Sequence, residues 1–177
     1  MKNAILIGLG VAAGLIVAVF AVNYVRLQAP MNGVTAADPR NEGIAVRVHY
    51  GGYVNPGVLV FDLRNVSSDK SRLDVIRVLF HFAERLQDSQ FDSVELAYRG
   101  DTRFKLGGDF FQTLGREYDV QNPVYTLRTF PEAVMRPDGS QAFGSWTGGL
   151  LGVLGEQLDD FNRFNDEWYL NDVLACE

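Results

Sequence analysis

Two histidines, one cysteine and a scatter of carboxylates are what this sequence offers for nucleophilic or metal chemistry. His81 stands between Phe80 and Phe82 in a helical apolar pattern, a setting for a packed structural histidine. His49 sits in a stretch that alternates like a strand. Cys176, one residue from the C-terminus, reads as a bystander thiol. So few His and Cys residues argue against a zinc site, and neither a metal nor a cofactor is expected. The P-loop, G-x-G-x-x-G, H-E-x-x-H and G-x-S-x-G motifs are all missing. Asp62 and Arg64 flank Leu63 at the end of an apolar run, the position where α/β sheets carry binding groups; the pair also reads as an ion pair bracing the next loop. With Gly107, Gly148, Gly149 and Trp146 they form the set of candidate binding residues. No catalytic residue is assigned.

The elements that must position these residues begin with the apolar run itself. Val58–Leu63 is β-branched and nearly unbroken, as in a strand buried on both faces. Ser71-Arg72-Leu73-Asp74 has capping-box spacing and opens a helix near 72–87 with Leu73, Ile76, Phe80 and Ala83 on its apolar face. Val94, Leu96 and Tyr98 alternate with polar or small neighbours over a strand at 93–99. This strand–helix–strand unit is the expected core. Ile44–Tyr50 alternates as a first strand with Arg47 and His49 away from the core, and Gly51-Gly52 suggests a hairpin to the next strand. A short return strand at 104–106, a helix from Asp109, a strand over 124–130 and a final helix over 147–166 complete the expectation. The last helix would bury Leu150, Leu154, Leu158, Phe161, Phe164 and Trp168 and leave Asp159-Asp160 and Asp166-Glu167 solvated. Four glycines (148, 149, 152 and 155) crowd its first half, for which close packing is the favoured reason. The expected class is α/β or α+β: an N-terminal transmembrane helix, then one mixed-sheet domain of about five strands and three helices.

Residues 4–22 carry no charge and no strongly polar group. At about 1.5 Å per residue they reach roughly 28 Å, close to the hydrocarbon thickness of a bilayer. The stretch is longer than a signal-peptide core, which favours a retained anchor over 1–22; cleavage after the small residues near Ala21 is the alternative. Gly10, Gly14 and Ala18 lie on one helix face and could let a second helix approach closely. Lys2 before the span suggests a cytoplasmic N-terminus and a translocated domain, hence the periplasm and inner membrane in a bacterium. Ala29-Pro30, Asn32-Gly33, Asp38-Pro39 and Glu42-Gly43 read as a flexible linker over 23–43, leaving 44–177 as the globular domain.

The chain has 177 residues and a net charge of −6, which argues against nucleic acid as a partner. Residues 94–109 followed by Gly144, Gly148 and Gly149 resemble the glycine pattern of the crotonase/ClpP-type fold. That resemblance covers about a third of the chain and implies an acyl oxyanion hole at Phe104, Gly107, Asp109, Gly148 and Gly149. The leading expectation is a membrane-anchored protein that touches the lipid bilayer and binds a protein partner or a second copy in an accessory or scaffolding role. The alternative is a small hydrolase or acyl-binding domain. An aromatic patch of Tyr125, Phe143 and Trp146 would favour the first; a cleft joining Asp62, Gly107 and Gly148 would favour the second.

Overall fold

A computed structural model describes residues 2–118, 123–146 and 150–175. Its N-terminus is one continuous helix in three parts: α1 (Lys2–Asn23), a π-helical turn (Tyr24–Gln28) and α2 (Ala29–Ala37). Among the described residues one helix, over Gly10–Ala37, is long and apolar enough to cross a membrane. The stretch expected as a linker is therefore helical to Ala37, and the reason is burial. Leu27, Met31 and Val34 recur at helical spacing and are sunk in the domain core, so Pro30 and Gly33 are overridden. The π turn lies just where the ring of Pro30 would otherwise meet the carbonyl of residue 26.

The π turn also sets a hydrogen-bonded join. In an α-helix, residues five apart point in different directions; an i→i+5 turn returns them to one face. Asn23 and Gln28 are such a pair, and both face the outer edge of strand β1 (Ile44–Gly51). Gln28 Oε1 accepts from the Val48 N–H (2.9 Å) and Gln28 Nε2 donates to the Val46 carbonyl (3.2 Å). Asn23 Oδ1 accepts from the Tyr50 N–H (2.7 Å) and Asn23 Nδ2 donates to the Tyr53 carbonyl (2.8 Å). Two amide side chains thus take the place of a neighbouring strand.

The sheet has four strands, not five: β1, β2 (Asn55–Val66), β3 (Ser93–Tyr98) and β4 (Asp101–Gly107), in the order β1-β2-β3-β4. β2 and β3 run parallel across the crossover helix α3 (Arg72–Arg85), and the two outer pairs are antiparallel. α4 (Gly108–Glu117), α5 (Pro123–Thr129), α6 (Leu150–Asn165) and α7 (Asn171–Leu174) follow, α6 and α7 being joined by a second π turn over Asp166–Leu170. Among the described residues five α-helices (α3–α7) follow the N-terminal helix, where three were expected. The expected strand at 124–130 is helical because Pro123 occupies the start of α5, where its missing N–H costs nothing. Gly108 allows α4 to begin against β3: a Cβ there would collide with the Phe91 carbonyl.

One sheet face carries Leu59, Phe61, Leu63, Leu96 and Phe104, all buried against the helices. Rings continue from it in a chain: Phe82 on Phe61 (5.9 Å), Phe61 on Trp168 (6.0 Å), Trp168 on Phe164 (5.3 Å) and Phe164 on Phe104 (5.3 Å). The second π turn buries Trp168 and Tyr169 together, and Trp168 Nε1 donates to the Ala97 carbonyl. Leu73 and Leu158, expected in the core, are exposed; on α6 the buried positions include Gln157, Asp160, Phe161 and Phe164. The other sheet face carries Arg47, His49, Val60, Asp62, Glu95 and Ala97, none of them in the core cluster.

The join predicts a local effect. Gln28→Ala and Asn23→Ala should speed hydrogen exchange at Val48 and Tyr50 respectively by roughly tenfold, equivalent to about 1.4 kcal/mol, with Leu96 unchanged; equal rates would show that the edge is held otherwise. A second effect follows from the capping box on α3. The Ser71 hydroxyl and N–H, with Arg77, hold the Asp74 carboxyl down at about 2 against the opposing effect of burial. A carboxyl depressed in the fold stabilises above its unfolded pKa of about 4, and that contribution is lost as pH falls through about 2. Ser71→Ala should cost about 1 kcal/mol in urea unfolding at pH 7, and the cost should shrink at low pH.

Candidate functional site

Of the residues singled out by sequence, Asp62 with Arg64 and Trp146 each tie neighbouring segments together. Asp62 is buried; its Oδ1 accepts from the Gly100 N–H and its Oδ2 from Arg64 Nη1, each at 2.9 Å. It therefore pins the β3–β4 turn, where Arg99 and Gly100 both take positive φ (52° and 91°). Gly107 is elsewhere: it pairs with Ser93 on the row of Val58, which is offset from Asp62 by four residues, about 13 Å along the strand, and it lies two strands across the sheet. The two do not share a cleft. Gly107 is the N-cap of α4, and Asp109 lies in that helix's first turn. Trp146 Nε1 donates to Asp160 Oδ2 (2.7 Å), latching its loop to α6. Asp160, expected on a solvated face, is buried and also meets Arg163. The aromatic patch does not form as expected, because Phe143 belongs to the core against Phe104 and Phe164. Gly148 and Gly149 lie outside the described residues. At Gly155 a Cβ would meet nothing within 4 Å, so close packing does not explain that glycine.

A depression of about 1100 Å³ forms a groove between α2 and the C-terminal half of α3. Its α2 wall is made of small residues, Ala29, Pro30, Gly33 and Ala37; the opposite wall is charged, with His81, Glu84, Arg85 and Asp88. Asp38 and Arg40 close one end in a bidentate pair (Nη2–Oδ2 2.6 Å, Nε–Oδ2 2.9 Å), and the Arg40 guanidinium and N–H hold the Asp38 carboxyl down at about 2. Asn41, buried beneath, donates to the Val34 carbonyl and accepts from Arg77, tying α2 to α3. His81 bridges the groove wall to the end of α4: its Nδ1 lies 3.4 Å from Glu84 Oε2 and its Nε2 3.1 Å from the Tyr118 hydroxyl. Both ring nitrogens are engaged, so the histidine serves as a strut. No cluster of three or more His, Cys, Asp or Glu suited to a metal occurs among the described residues. A smaller apolar pocket of about 220 Å³ lies on another side of α3, lined by Leu73, Ile76, Phe80 and Leu127, and accounts for the exposed Leu73.

What the groove can do is hold a segment of chain. One wall lets a backbone come close, and the other offers charges of both signs to fix its register. Sequence reading missed it because the α2 wall was taken for linker. The signal was nonetheless there: Leu27, Met31 and Val34 at i, i+4 and i+7.

No protein-family model matches the chain, and neither does any curated protein or solved structure.

Two glycines, Gly33 on the α2 wall of the groove and Gly115 on α4, which packs against α3, should respond oppositely to alanine. At Gly33 a Cβ meets nothing within 4 Å, so Gly33→Ala should raise stability by about 1 kcal/mol. At Gly115 a Cβ would run into the Ala83 carbonyl, so Gly115→Ala should lower it by about 1–3 kcal/mol. Urea unfolding of the full-length protein in detergent reads both; equal effects would mean that α2 and α4 are not packed as described.

Proposed function

We propose that this chain is a single-pass membrane protein that holds its domain at a fixed height above the bilayer to bind a juxtamembrane segment of another membrane protein, as an accessory or scaffolding subunit. The observation that carries this reading is the unbroken helix from Lys2 to Ala37, with exposed apolar side chains from Val11 to Val22 and its second half built into the domain. Val11, Leu15, Ile16, Val17 and Phe20 are all more than half exposed, an apolar surface that needs lipid or protein around it. The groove begins at Ala29, seven residues beyond Val22, and so lies roughly 10–20 Å past the end of the apolar stretch along the helix axis. A partner reaching it must itself run close to the membrane.

In this reading the N-terminus is cytoplasmic and the domain translocated, which for a bacterial chain means an inner-membrane protein with a periplasmic domain. Gly10 and Gly14, where a Cβ would meet nothing within 4 Å, and Ala18 on the same face offer a close approach to the partner's own spanning helix.

Crosslinking in native membranes, affinity recovery and intact-mass analysis test the proposal. The expected result is a full-length mass and a reproducible membrane-protein partner that is lost with Gly33→Trp, which fills the groove, and reduced with Gly14→Leu. A mass short by the first ~20 residues, as signal cleavage would leave, or recovery indifferent to both substitutions, would sink it.

A further inference from the structure

We propose that the β1–β2 turn is a second point of contact with the bilayer: the ring of Tyr53 and the side chain of Val54 enter the layer between lipid headgroups and hydrocarbon, beside the spanning helix. This rests on the anchored reading above, and the depth of the turn is what carries it. The Tyr53 ring packs on Phe20 with centroids 5.1 Å apart. Phe20 lies two residues inside the end of the apolar stretch at Val22, about 3 Å along the helix axis. A helix that spans with residues 4–22 therefore brings Tyr53 to the boundary, the layer in which amphipathic aromatic rings concentrate.

The surroundings fit that environment. Val54 is 71% exposed, more than any other large hydrophobic residue among those described. From Tyr50 to Phe61 there is no charged side chain, so the turn can leave water without burying a charge. Asp92, beside Gly57, marks where charged surface resumes. Tyr24 and Arg26 are exposed on the helix just past the apolar stretch, where a phenol and a snorkelling guanidinium meet headgroups.

The turn also holds its ring in a sterically strained backbone. Gly52 and Tyr53 both take positive φ (53° and 67°), the two central positions of a type I′ turn. Glycine, asparagine or aspartate is the usual occupant of the second; a bulky ring there is strained. It is held by three contacts: stacking on His49 at 4.2 Å with planes 13° apart, packing on Phe20, and the hydrogen bond from Asn23 to its carbonyl. The result fixes an aromatic ring against the helix at one depth.

The test uses the full-length chain in phosphatidylcholine vesicles, with Cys176→Ser as background and an environment-sensitive fluorophore placed on Val54→Cys, Val17→Cys or Ser68→Cys. Val54 and Val17 are exposed and tolerate the label; Ser68 is an exposed control just past the far end of β2. The expected result is loss of Val54 emission with lipids carrying a nitroxide near the headgroup, protection from aqueous iodide, and the reverse for Ser68. Val17 should be quenched by deeper nitroxides. If Val17 is quenched but Val54 responds to iodide, the turn stands in water and this proposal fails while the anchor survives. If Val54 is shielded from both quenchers, protein covers it and the proposal also fails. If Val17 is not quenched by lipid, the anchored reading falls and takes this one with it.

Discussion

Four hydrogen bonds from two amide side chains decide how this molecule is organised. An outer strand presents alternate N–H and C=O groups that must find partners. Here Gln28 and Asn23 supply them to Val46, Val48 and Tyr50 and to the adjoining turn at Tyr53. An amide carries both a donor and an acceptor on one plane, so it can answer a strand's backbone as another strand would. The spacing of five that makes this possible exists only because the helix passes through a π turn between them. Pro30, one position past the turn and its capping residue, and the buried stripe of Leu27, Met31 and Val34 favour that geometry from the other side.

From this join follows the mechanical character of the protein. A flexible segment between an apolar helix and a domain would let the domain tumble and sample a wide volume. A helix docked by its side chains and by three core residues leaves the domain one orientation relative to the helix axis. The groove between α2 and α3 exists only in that arrangement, since α2 supplies one whole wall. Asn41 and Arg77 then hold the wall in place from below.

Much of the central fold was legible in the chain. The apolar run of Val58–Leu63, the Ser71–Asp74 cap and the alternation at Val94–Tyr98 each specify one element, and β2, α3 and β3 form as those patterns require. These are local signals that agree with the global structure. What failed was composition used as punctuation. Pro30 and Gly33 signal a loop, yet burial of their neighbours outweighs their helix cost; Pro123 ends one helix pattern but begins another helix. The candidate site was less legible still. The bonds that place the α2 wall join residues 18 to 30 positions apart in the chain, through side chains whose type alone does not reveal a strand edge as their target. Asp62 was found as a distinctive residue, but its partner, the Gly100 N–H, is 38 positions away and makes it a brace.

The join also has a consequence for any form of the protein made without its first 28 residues. Such a fragment would keep its four strands and its aromatic core, yet Val46, Val48 and Tyr50 would lose the amides that answer them. Lacking Leu27 as well, it would expose an open strand edge beside an uncovered patch of core. That is a template for strand addition between copies, so a soluble fragment cut at this point is expected to pair edge to edge through β1. The N-terminal helix is in this sense the guard that keeps the sheet closed to its own kind.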